Sequence, residues 1–283
     1  MKKLVCIGFL VCLIIAFSAC SQSQPEASGT QKMQEMTEEI VEETDMSSSF
    51  SQTTTNVPEI LIAAPLTAAE IRALPPGACL SDMNLPEETI DASFFAQEIP
   101  DEIFERMDGV SYKEGCPVTR EELSYCRVLY VGPDAFTYIG ELVVNERIAE
   151  DILEIFRELY DAGYKIGKMV LVDDYDGDDN LSIADNNTSA FNFRIVNHTT
   201  TLSRHAYGLA VDINPLYNPW IYEKDGQLVV DPPAGEMYAD RTLENDYYLT
   251  GEDLCTRLFL EHGFSWGGDW EDSKDYQHFS MTP

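Results

Sequence analysis

The chain has 283 residues with 50 acidic and 18 basic side chains, so its formal net charge is -32 at neutral pH. This charge repels phosphate backbones and anionic lipid headgroups, which excludes nucleic acid as a partner. Hydrophobic residues make up 44% and aromatic residues 11% of the chain, enough for the core of one domain of ordinary size.

Residues 1–20 have the pattern of a bacterial secretion signal, with two lysines, an apolar run and then Ser-Ala-Cys. The apolar run is short for a membrane-spanning helix, which needs about 20 apolar residues. Cys20 at the end of this segment resembles the lipobox cysteine of bacterial lipoproteins, which carries lipid. We therefore predict a lipoprotein signal peptide, lipidation of Cys20, and an extracytoplasmic protein anchored to the bacterial cell membrane. A plain signal peptide and an uncleaved anchor are the alternatives.

Residues 21–57 are rich in Ser, Thr, Gln and Glu and poor in large apolar residues. Such a segment buries too little surface to fold, so it is predicted to be a disordered tether. Residues 58–97 form a poorly defined lead-in, in which LTAAEIRAL predicts a short helix with Thr67 as its N-cap. The folded domain is predicted to span residues 98–283.

The first half of this domain alternates between strand and helix patterns. RVLYV (127–131) and ELVV (141–144) are short runs with high strand propensity. Asn145 then caps a predicted helix that Gly163 ends. The apolar residues of this helix recur at three- and four-residue spacing and form one core-facing stripe: Ile148, Ile152, Ile155, Phe156 and Leu159.

The second half continues the same alternation. KIGKMVLV (165–172) and LAVDI (209–213) are predicted strands, and a last helix is predicted over residues 252–262 with Thr250 as its cap. Helices mixed with short strands that pair antiparallel predict an α+β fold, with a small antiparallel sheet flanked by helices.

Four cysteines follow the signal segment: Cys79, Cys116, Cys126 and Cys255. In an oxidising compartment they could form two disulfides, with three possible pairings that the sequence does not distinguish. The alternative is four buried free thiols.

Three residues have the types and placement of a metal site. His205 is followed seven residues later by Asp212, and His278 lies near the C-terminus. A catalytic zinc site needs about three protein ligands and an open position for water, and imidazole and carboxylate are suitable ligands. Asp275 precedes His278 by three residues, close enough to reach that water without being a ligand. The sequence therefore predicts one Zn²⁺ in a cleft.

Other stretches allow more than one interpretation. Trp266 and Trp270 could wall the cleft. The stretch NNTSAF (186–191) is interpreted as a substrate loop, with a structural turn as the alternative. The acidic run DDYDGDD (173–179) is interpreted as solvated acids at the cleft edge, because its glycine falls at the wrong place for a calcium loop.

Several motifs together resemble a known family. Residues 203–212 fit Ser-x-His-x-x-Gly-x-Ala-x-Asp, and residues 275–278 add an acid-x-x-His motif. With RMDGVSY, GELVVN, NNTSAFNFR and WGGDW, they resemble the M15 family of bacterial zinc peptidases over most of residues 98–281. That family contains D-alanyl-D-alanine carboxypeptidases and L-alanyl-D-glutamate endopeptidases.

The resemblance implies a role for each matching residue. The zinc ligands would be His205, Asp212 and His278. Asp275 would be the general base, although better-known branches carry Glu there, which leaves Asp269 as a weaker candidate. Arg194 would pair with a substrate carboxylate or polarise the scissile carbonyl, and Ser203 would help to hold the substrate.

The predicted function is that of a lipid-anchored zinc metallopeptidase acting on peptidoglycan stem peptides, either as a D-Ala-D-Ala carboxypeptidase or as an L-Ala-D-Glu endopeptidase. The alternative is a non-catalytic, zinc-containing cell-wall binding lipoprotein, since Hedgehog signalling domains share the fold by resemblance and keep the metal. The presence of both Asp275 and Arg194 beside a full ligand set favours the enzyme.

Overall fold

The computed structural model of the chain describes residues 66–80, 85–196 and 199–283. The predicted signal peptide with Cys20, the predicted tether and the first residues of the lead-in lie outside the described residues. Within the described ranges, no helix combines the length and the apolar character needed to cross a membrane.

Six α-helices are present in the described part of the chain. They are α1 (Ala68–Ala73), α2 (Glu87–Asp91), α3 (Asp101–Met107), α4 (Ala149–Asp161), α5 (Asp179–Ala184) and α6 (Leu254–Glu261). Short 3-10 helices lie at Arg120–Glu122, Glu146–Ile148, Val172–Tyr175, Arg204–Tyr207, Pro233–Tyr238 and Gly267–Asp269.

The described strands form three small antiparallel sheets of three strands each. The strands are β1 (Phe95–Glu98), β2 (Leu123–Val131), β3 (Thr137–Asn145), β4 (Ala210–Asp212), β5 (Trp220–Lys224), β6 (Gln227–Asp231), β7 (Ser265–Trp266), β8 (Ser273–Asp275) and β9 (His278–Ser280). Their orders are β1-β2-β3, β4-β9-β7 and β6-β5-β8. The α+β class is confirmed, but three small sheets replace the single predicted one.

The main core lies between α4 and the β2–β3 pair. Both predicted strands are confirmed as parts of these longer strands. The predicted apolar stripe is buried along its whole length, including Ile152, Ile155 and Phe156. Asn145 accepts a hydrogen bond from the backbone N–H of Arg147 and so begins a 3-10 turn that leads into α4. The 3.6-residue period therefore identified the face that packs on the sheet.

The lead-in contains regular structure. Thr67 and Glu70 form a capping box at the start of α1, which confirms the predicted helix. Strand β1 pairs with β2, with Phe95 directly opposite Arg127. Ordered structure therefore begins on the N-terminal side of residue 98, while the domain boundaries themselves stay a prediction.

The prediction of a strand at residues 165–172 is wrong. Only isolated bridges occur there, at Lys165 and Lys168. Asparagine side chains take the place of a neighbouring strand: Asn214 accepts from the backbone N–H of Gly167, and Asn187 accepts from that of Val170. Because side chains satisfy these groups, the segment needs no ladder.

Two smaller predictions are also corrected. The last helix is capped by Asp253 instead of Thr250, and the Asp253 carboxylate accepts from the backbone N–H groups of Cys255 and Thr256. The four cysteines are free thiols, and of these only Cys126 and Cys255 are buried. The two predicted disulfides are therefore not formed in this structure.

The hairpin of β5 and β6 was not predicted. Its turn is Asp225-Gly226, and both residues have positive φ, 54° and 76°. This is the Asp-Gly signal of a tight two-residue hairpin turn, flanked by β-branched residues that favour strands. The hairpin pairs with β8 and so comes to lie beside the predicted base.

Candidate metal site and active-site cleft

The three predicted metal ligands come together on two paired strands and the turn before them. Asp212 on β4 lies directly opposite His278 on β9, so their side chains project from the same face of the sheet. His205 comes from the 3-10 helix that precedes β4. The turn is shaped by Ser203, whose Oγ accepts from the backbone N–H of His205, and by Gly208, whose φ is +67°.

The distances between ligand atoms match those around one small ion. His205 Nε2 lies 3.2 Å from His278 Nδ1 and 3.1 Å from Asp212 Oδ2, and His278 Nδ1 lies 3.0 Å from Asp212 Oδ1. The ligand atoms all lie within 4.8 Å of one another. Tetrahedral zinc ligands at about 2.0–2.1 Å from the ion are about 3.3 Å apart. The donor set therefore fits a metal ion in type and spacing.

Contacts of the candidate ligands with neighbouring groups determine which of their atoms face the metal site and whether Asp212 is charged. His205 Nδ1 contacts the backbone carbonyl of Ala190 at 2.5 Å. A carbonyl only accepts, so Nδ1 carries the proton in this contact, and Nε2 is the ring nitrogen that faces the other ligands. Burial raises the pKa of Asp212, but the two imidazoles outweigh it and hold the pKa well below its usual range. The carboxylate is therefore charged and ready to bind a cation.

Asp275, the candidate base, ends strand β8 and lines the same cleft as the ligands. Burial raises its pKa to about 7, and the Asp212 charge adds to this, while His278 and Arg194 act in the opposite direction. Gln277 Nε2 donates to Asp275 Oδ1 at 3.2 Å. Asp269, the weaker candidate, is exposed and does not line the cleft. A carboxyl with a pKa near neutrality suits proton transfer.

Arg194 lines the cleft and is held by a residue of the acidic run. Its Nη2 forms an ion pair with Asp179 Oδ2 at 2.8 Å, and both side chains are mostly buried, 23% and 19% exposed. Its Nε is enclosed and has no hydrogen-bond partner among the described residues. Asp179 is the first residue of α5, so this helix positions the guanidinium.

The acidic run was interpreted as solvated charge, and the structure corrects this. Besides Asp179, Asp173 accepts from the backbone N–H of Ser111, and Asp174 forms an ion pair with Arg106. Buried Glu141 shares that arginine. The run therefore holds separate elements together through specific contacts.

The cleft has a volume of about 670 Å³ and opens to solvent. Trp270 lines it and is 39% exposed, as predicted, whereas Trp266 belongs to the core and donates to the backbone carbonyl of Tyr276. The stretch NNTSAF does not line the cleft, so its interpretation as a substrate loop is wrong. Its Asn187 side chain donates to the backbone carbonyl of Val170.

Trp220, Asp231 and Gln277 are among the cleft residues that the sequence predictions did not include. Trp220 begins β5 and Asp231 ends β6, so both lie at the open end of the hairpin that the Asp-Gly turn signal could have revealed. Gln277 lies inside the acid-x-x-His motif at a position that the motif leaves open.

Comparisons with known proteins agree with this site. An M15 peptidase family model, described as D-alanyl-D-alanine carboxypeptidase, matches residues 197–281. The peptidoglycan L-alanyl-D-glutamate endopeptidase CwlK of Bacillus subtilis (strain 168) is 35% identical over 81 residues, which are 29% of this chain and 40% of the relative. The chain thus spans less than half the length of that relative. No solved structure matches the chain.

The family match covers the segment with all three predicted metal ligands and Asp275. The resemblance to M15 peptidases that the motifs predicted is therefore confirmed over this C-terminal segment. Arg194 and Asp179 lie before the matched residues.

Proposed function

We propose that the chain is a zinc metallopeptidase that hydrolyses peptidoglycan stem peptides, as a D-Ala-D-Ala carboxypeptidase or an L-Ala-D-Glu endopeptidase. The observation that carries this proposal is the convergence of His205, Asp212 and His278 beside Asp275 in an open cleft. The substrate class is supported by the matched family model, described as D-alanyl-D-alanine carboxypeptidase, and by the CwlK relative, named as a peptidoglycan L-alanyl-D-glutamate endopeptidase.

Two neutral imidazoles and one carboxylate would hold the ion, and this set suits zinc better than the harder cations that prefer oxygen. The ion would supply Lewis acidity, lowering the pKa of water and polarising a carbonyl. Asp275 would take the proton of the attacking water and deliver it to the leaving amine. Arg194 would donate to a substrate carboxylate or to the oxygen of the scissile carbonyl.

Ser203 has two roles in this proposal. Its oxygen accepts the backbone N–H of His205 and fixes the turn that presents this ligand. Because it also lines the cleft, its hydroxyl proton could be donated to the substrate. A Ser203→Ala variant removes both roles, and separate measurements distinguish them. Loss of the cap is expected to weaken zinc binding, and loss of the donor is expected to raise KM of the zinc-saturated chain.

The proposal includes a location. Lipidation of Cys20 would anchor the chain to the outer face of the cell membrane, and residues 21–57 would hold the domain near the wall. Fractionation of cells tests this: the wild-type chain is expected with the membranes and labelled by a lipid precursor, and Cys20→Ala is expected to lose the label. Labelling of the Cys20→Ala chain would contradict the assignment.

The activity is tested with residues 58–283 loaded with zinc and incubated with muropeptides that carry a full pentapeptide. Mass spectrometry, with and without a chelator, then identifies the products. Chelator-sensitive loss of terminal D-Ala would make the chain a carboxypeptidase, and release of the peptide at L-Ala an endopeptidase. Intact muropeptides with metal confirmed bound would overturn the enzyme proposal in favour of a zinc-containing wall-binding module.

A further inference from the structure

The residue between the candidate base and the last candidate ligand contacts the base directly. Gln277 lies between Asp275, which ends β8, and His278, which begins β9. The residue is only 4% exposed, and it lines the cleft. Its Nε2 donates to Asp275 Oδ1 at 3.2 Å. This hydrogen bond leaves the second carboxylate oxygen of Asp275 to take up a proton.

The main chain around this contact is held by other elements. The backbone carbonyl of Gln277 accepts from the backbone N–H of Ile213, next to Asp212. A Cβ on Gly267 would lie 2.5 Å from the backbone carbonyl oxygen of Asp275, so the two backbones are in close contact. These contacts fix the main chain, whereas the Gln277 amide holds the Asp275 carboxylate itself.

The other end of the Gln277 amide is an acceptor without a partner. Among the described cleft residues, three enclosed side-chain atoms have no hydrogen-bond partner: Arg194 Nε, Trp220 Nε1 and Gln277 Oε1. The first two are donors, and Gln277 Oε1 is the acceptor of this set. A buried acceptor without a hydrogen bond costs free energy, which a donor on a bound molecule would recover. The molecule that enters the cleft is therefore expected to bring an N–H group.

A peptide bond supplies such an N–H group beside the base. In the proposed reaction, the water oxygen bonds to the scissile carbonyl carbon while Asp275 takes a proton from the water. The C–N bond then breaks, and Asp275 gives this proton to the leaving nitrogen. The nitrogen receives the proton on its lone pair, so its own N–H has to point toward another acceptor. An acceptor next to Asp275 would thus turn the lone pair toward the base.

We propose that Gln277 bridges the base and the leaving nitrogen. Its Nε2 positions the Asp275 carboxylate, and its Oε1 accepts the N–H of the scissile peptide bond. Gln277 itself gains and loses no proton. This inference rests on the proposed peptidase function and deepens it, because it assigns a further residue to the cleavage step and specifies a leaving group that carries an N–H.

The test compares a stem pentapeptide with its depsipeptide, in which an ester oxygen replaces the N–H of the bond that the chain cleaves. The ester keeps the carbonyl but lacks the group that Oε1 would accept. In the zinc-loaded chain, Gln277→Leu loses both contacts on the peptide and only the contact with Asp275 on the depsipeptide. Its kcat/KM is therefore expected to fall about tenfold more on the peptide than on the depsipeptide.

The loss that remains on the depsipeptide measures the positioning role. We expect Gln277→Leu to lower kcat there by about tenfold, with KM changed less than twofold, because a misplaced base slows the chemical step. The same substitution in an Asp275→Asn chain is expected to leave the residual kcat on the depsipeptide unchanged. In that chain there is no base for Gln277 to position.

Gln227→Leu is the matched control, because Gln227 is exposed on β6 and does not line the cleft. It is expected to cleave both substrates at the wild-type rates. Gln277→Met, which is unbranched like glutamine, takes the place of Gln277→Leu if the leucine variant does not fold. The zinc-induced rise in Tm is expected to be the same in every variant as in the wild-type chain.

The remaining outcomes contradict the proposal in distinguishable ways. Equal losses on the peptide and the depsipeptide overturn the contact with the leaving nitrogen, and wild-type rates on both overturn the whole bridge. A smaller zinc-induced rise in Tm, or a further loss of kcat in the Asp275→Asn chain, makes Gln277 a structural residue. All of these leave the peptidase proposal standing. If the wild-type chain cleaves neither substrate, the peptidase proposal fails and the bridge fails with it.

Discussion

At the scale of single residues, three atoms with lone pairs face one point. His205 Nε2, His278 Nδ1 and the Asp212 carboxylate lie 3.0–3.2 Å from one another. A shared proton links such groups only in pairs, whereas a metal ion uses all three at ligand spacing. The site is therefore expected to bind one divalent ion with high affinity.

Zinc binding can be measured as stabilisation of the fold. At a free zinc concentration about 100 times Kd, the metal stabilises the native state by about 2.7 kcal/mol, which raises Tm by about 5–10 °C in a domain of this size. His205→Ala is expected to lose this shift in calorimetry. His262→Ala is the control, since His262 pairs with Asp151 away from the site. A full shift in His205→Ala would contradict the ligand assignment.

Asp275 is expected to support activity at a cost in stability. The general-base role predicts that Asp275→Asn lowers kcat by about 10²–10⁴-fold while zinc stays bound. The pKa of Asp275 is raised from 3.8 to about 7 in the folded chain, so ionisation favours the unfolded state. Stability of the metal-free wild type is thus lost as pH rises between these values.

The asparagine variant avoids this loss because it carries no charge. Above pH 7 the metal-free Asp275→Asn chain is expected to be more stable than wild type by about 1–3 kcal/mol, and the difference should vanish below the unfolded pKa. Urea unfolding at pH 4 and pH 8 measures it. A variant that is no more stable than wild type at pH 8 would contradict the raised pKa of Asp275. A variant that keeps the wild-type kcat would show that Asp275 is not the base.

Asp179 is expected to act through Arg194. Without the ion pair, the guanidinium loses the contact that orients it, so Asp179→Asn should lower kcat/KM about tenfold with unchanged zinc affinity. Asp176→Asn in the same acidic run is the control, because Asp176 is exposed and has the left-handed backbone that asparagine tolerates. A loss of the same size in both variants would mean a general effect of charge.

At the scale of elements, features set by neighbouring residues could be predicted from the sequence, whereas contacts between separate elements could not. His205 and Asp212 lie in one contiguous motif, residues 203–212, so the sequence could pair them and predict the strand that carries Asp212. The apolar stripe of α4 was predictable for the same reason. The Asp179–Arg194 pair joins residues from a helix start and a distant loop, and no local pattern reports such a contact.

The incorrect prediction of a strand at residues 165–172 also results from contacts between separate elements. Its apolar pattern is real, but Asn187 and Asn214 provide the hydrogen bonds that a partner strand would otherwise give. Only the tertiary structure brings these side chains to the segment. The hairpin that carries Trp220 and Asp231 differs, since its Asp-Gly turn was a local signal that could have been used.

The turn between His205 and Asp212 depends on one glycine. A Cβ on Gly208 would lie 2.6 Å from the backbone nitrogen of Asn145, and φ there is +67°. Gly208→Ala must therefore move the turn away from β3, which should cost about 2–4 kcal/mol and weaken zinc binding more than tenfold. Gly251→Ala is the control, since a Cβ there meets no atom within 4 Å. Unchanged zinc affinity in Gly208→Ala would contradict this role.

At the scale of the whole molecule, the net charge of -32 opposes approach to an anionic polymer. The cleft is different, because Arg194, Arg204 and a bound divalent ion would offset the four aspartates Asp179, Asp212, Asp231 and Asp275. A small peptide that reaches the cleft is therefore exposed to little net charge. An intact wall fragment is larger than the cleft, so it is repelled by the negative charge of the whole surface.

Ionic strength should separate these two situations. Raising salt from about 10 mM to about 150 mM shortens the Debye length from about 30 Å to about 8 Å and screens the surface repulsion. Hydrolysis of intact, acidic wall fragments is expected to increase several-fold, whereas kcat/KM on a soluble stem peptide changes less than twofold. Both rates are measured with the same zinc-loaded chain, and an uncharged osmolyte at matched osmolality is the control. A decrease on wall fragments would instead mean that a local attractive contact with the polymer outweighs the overall charge.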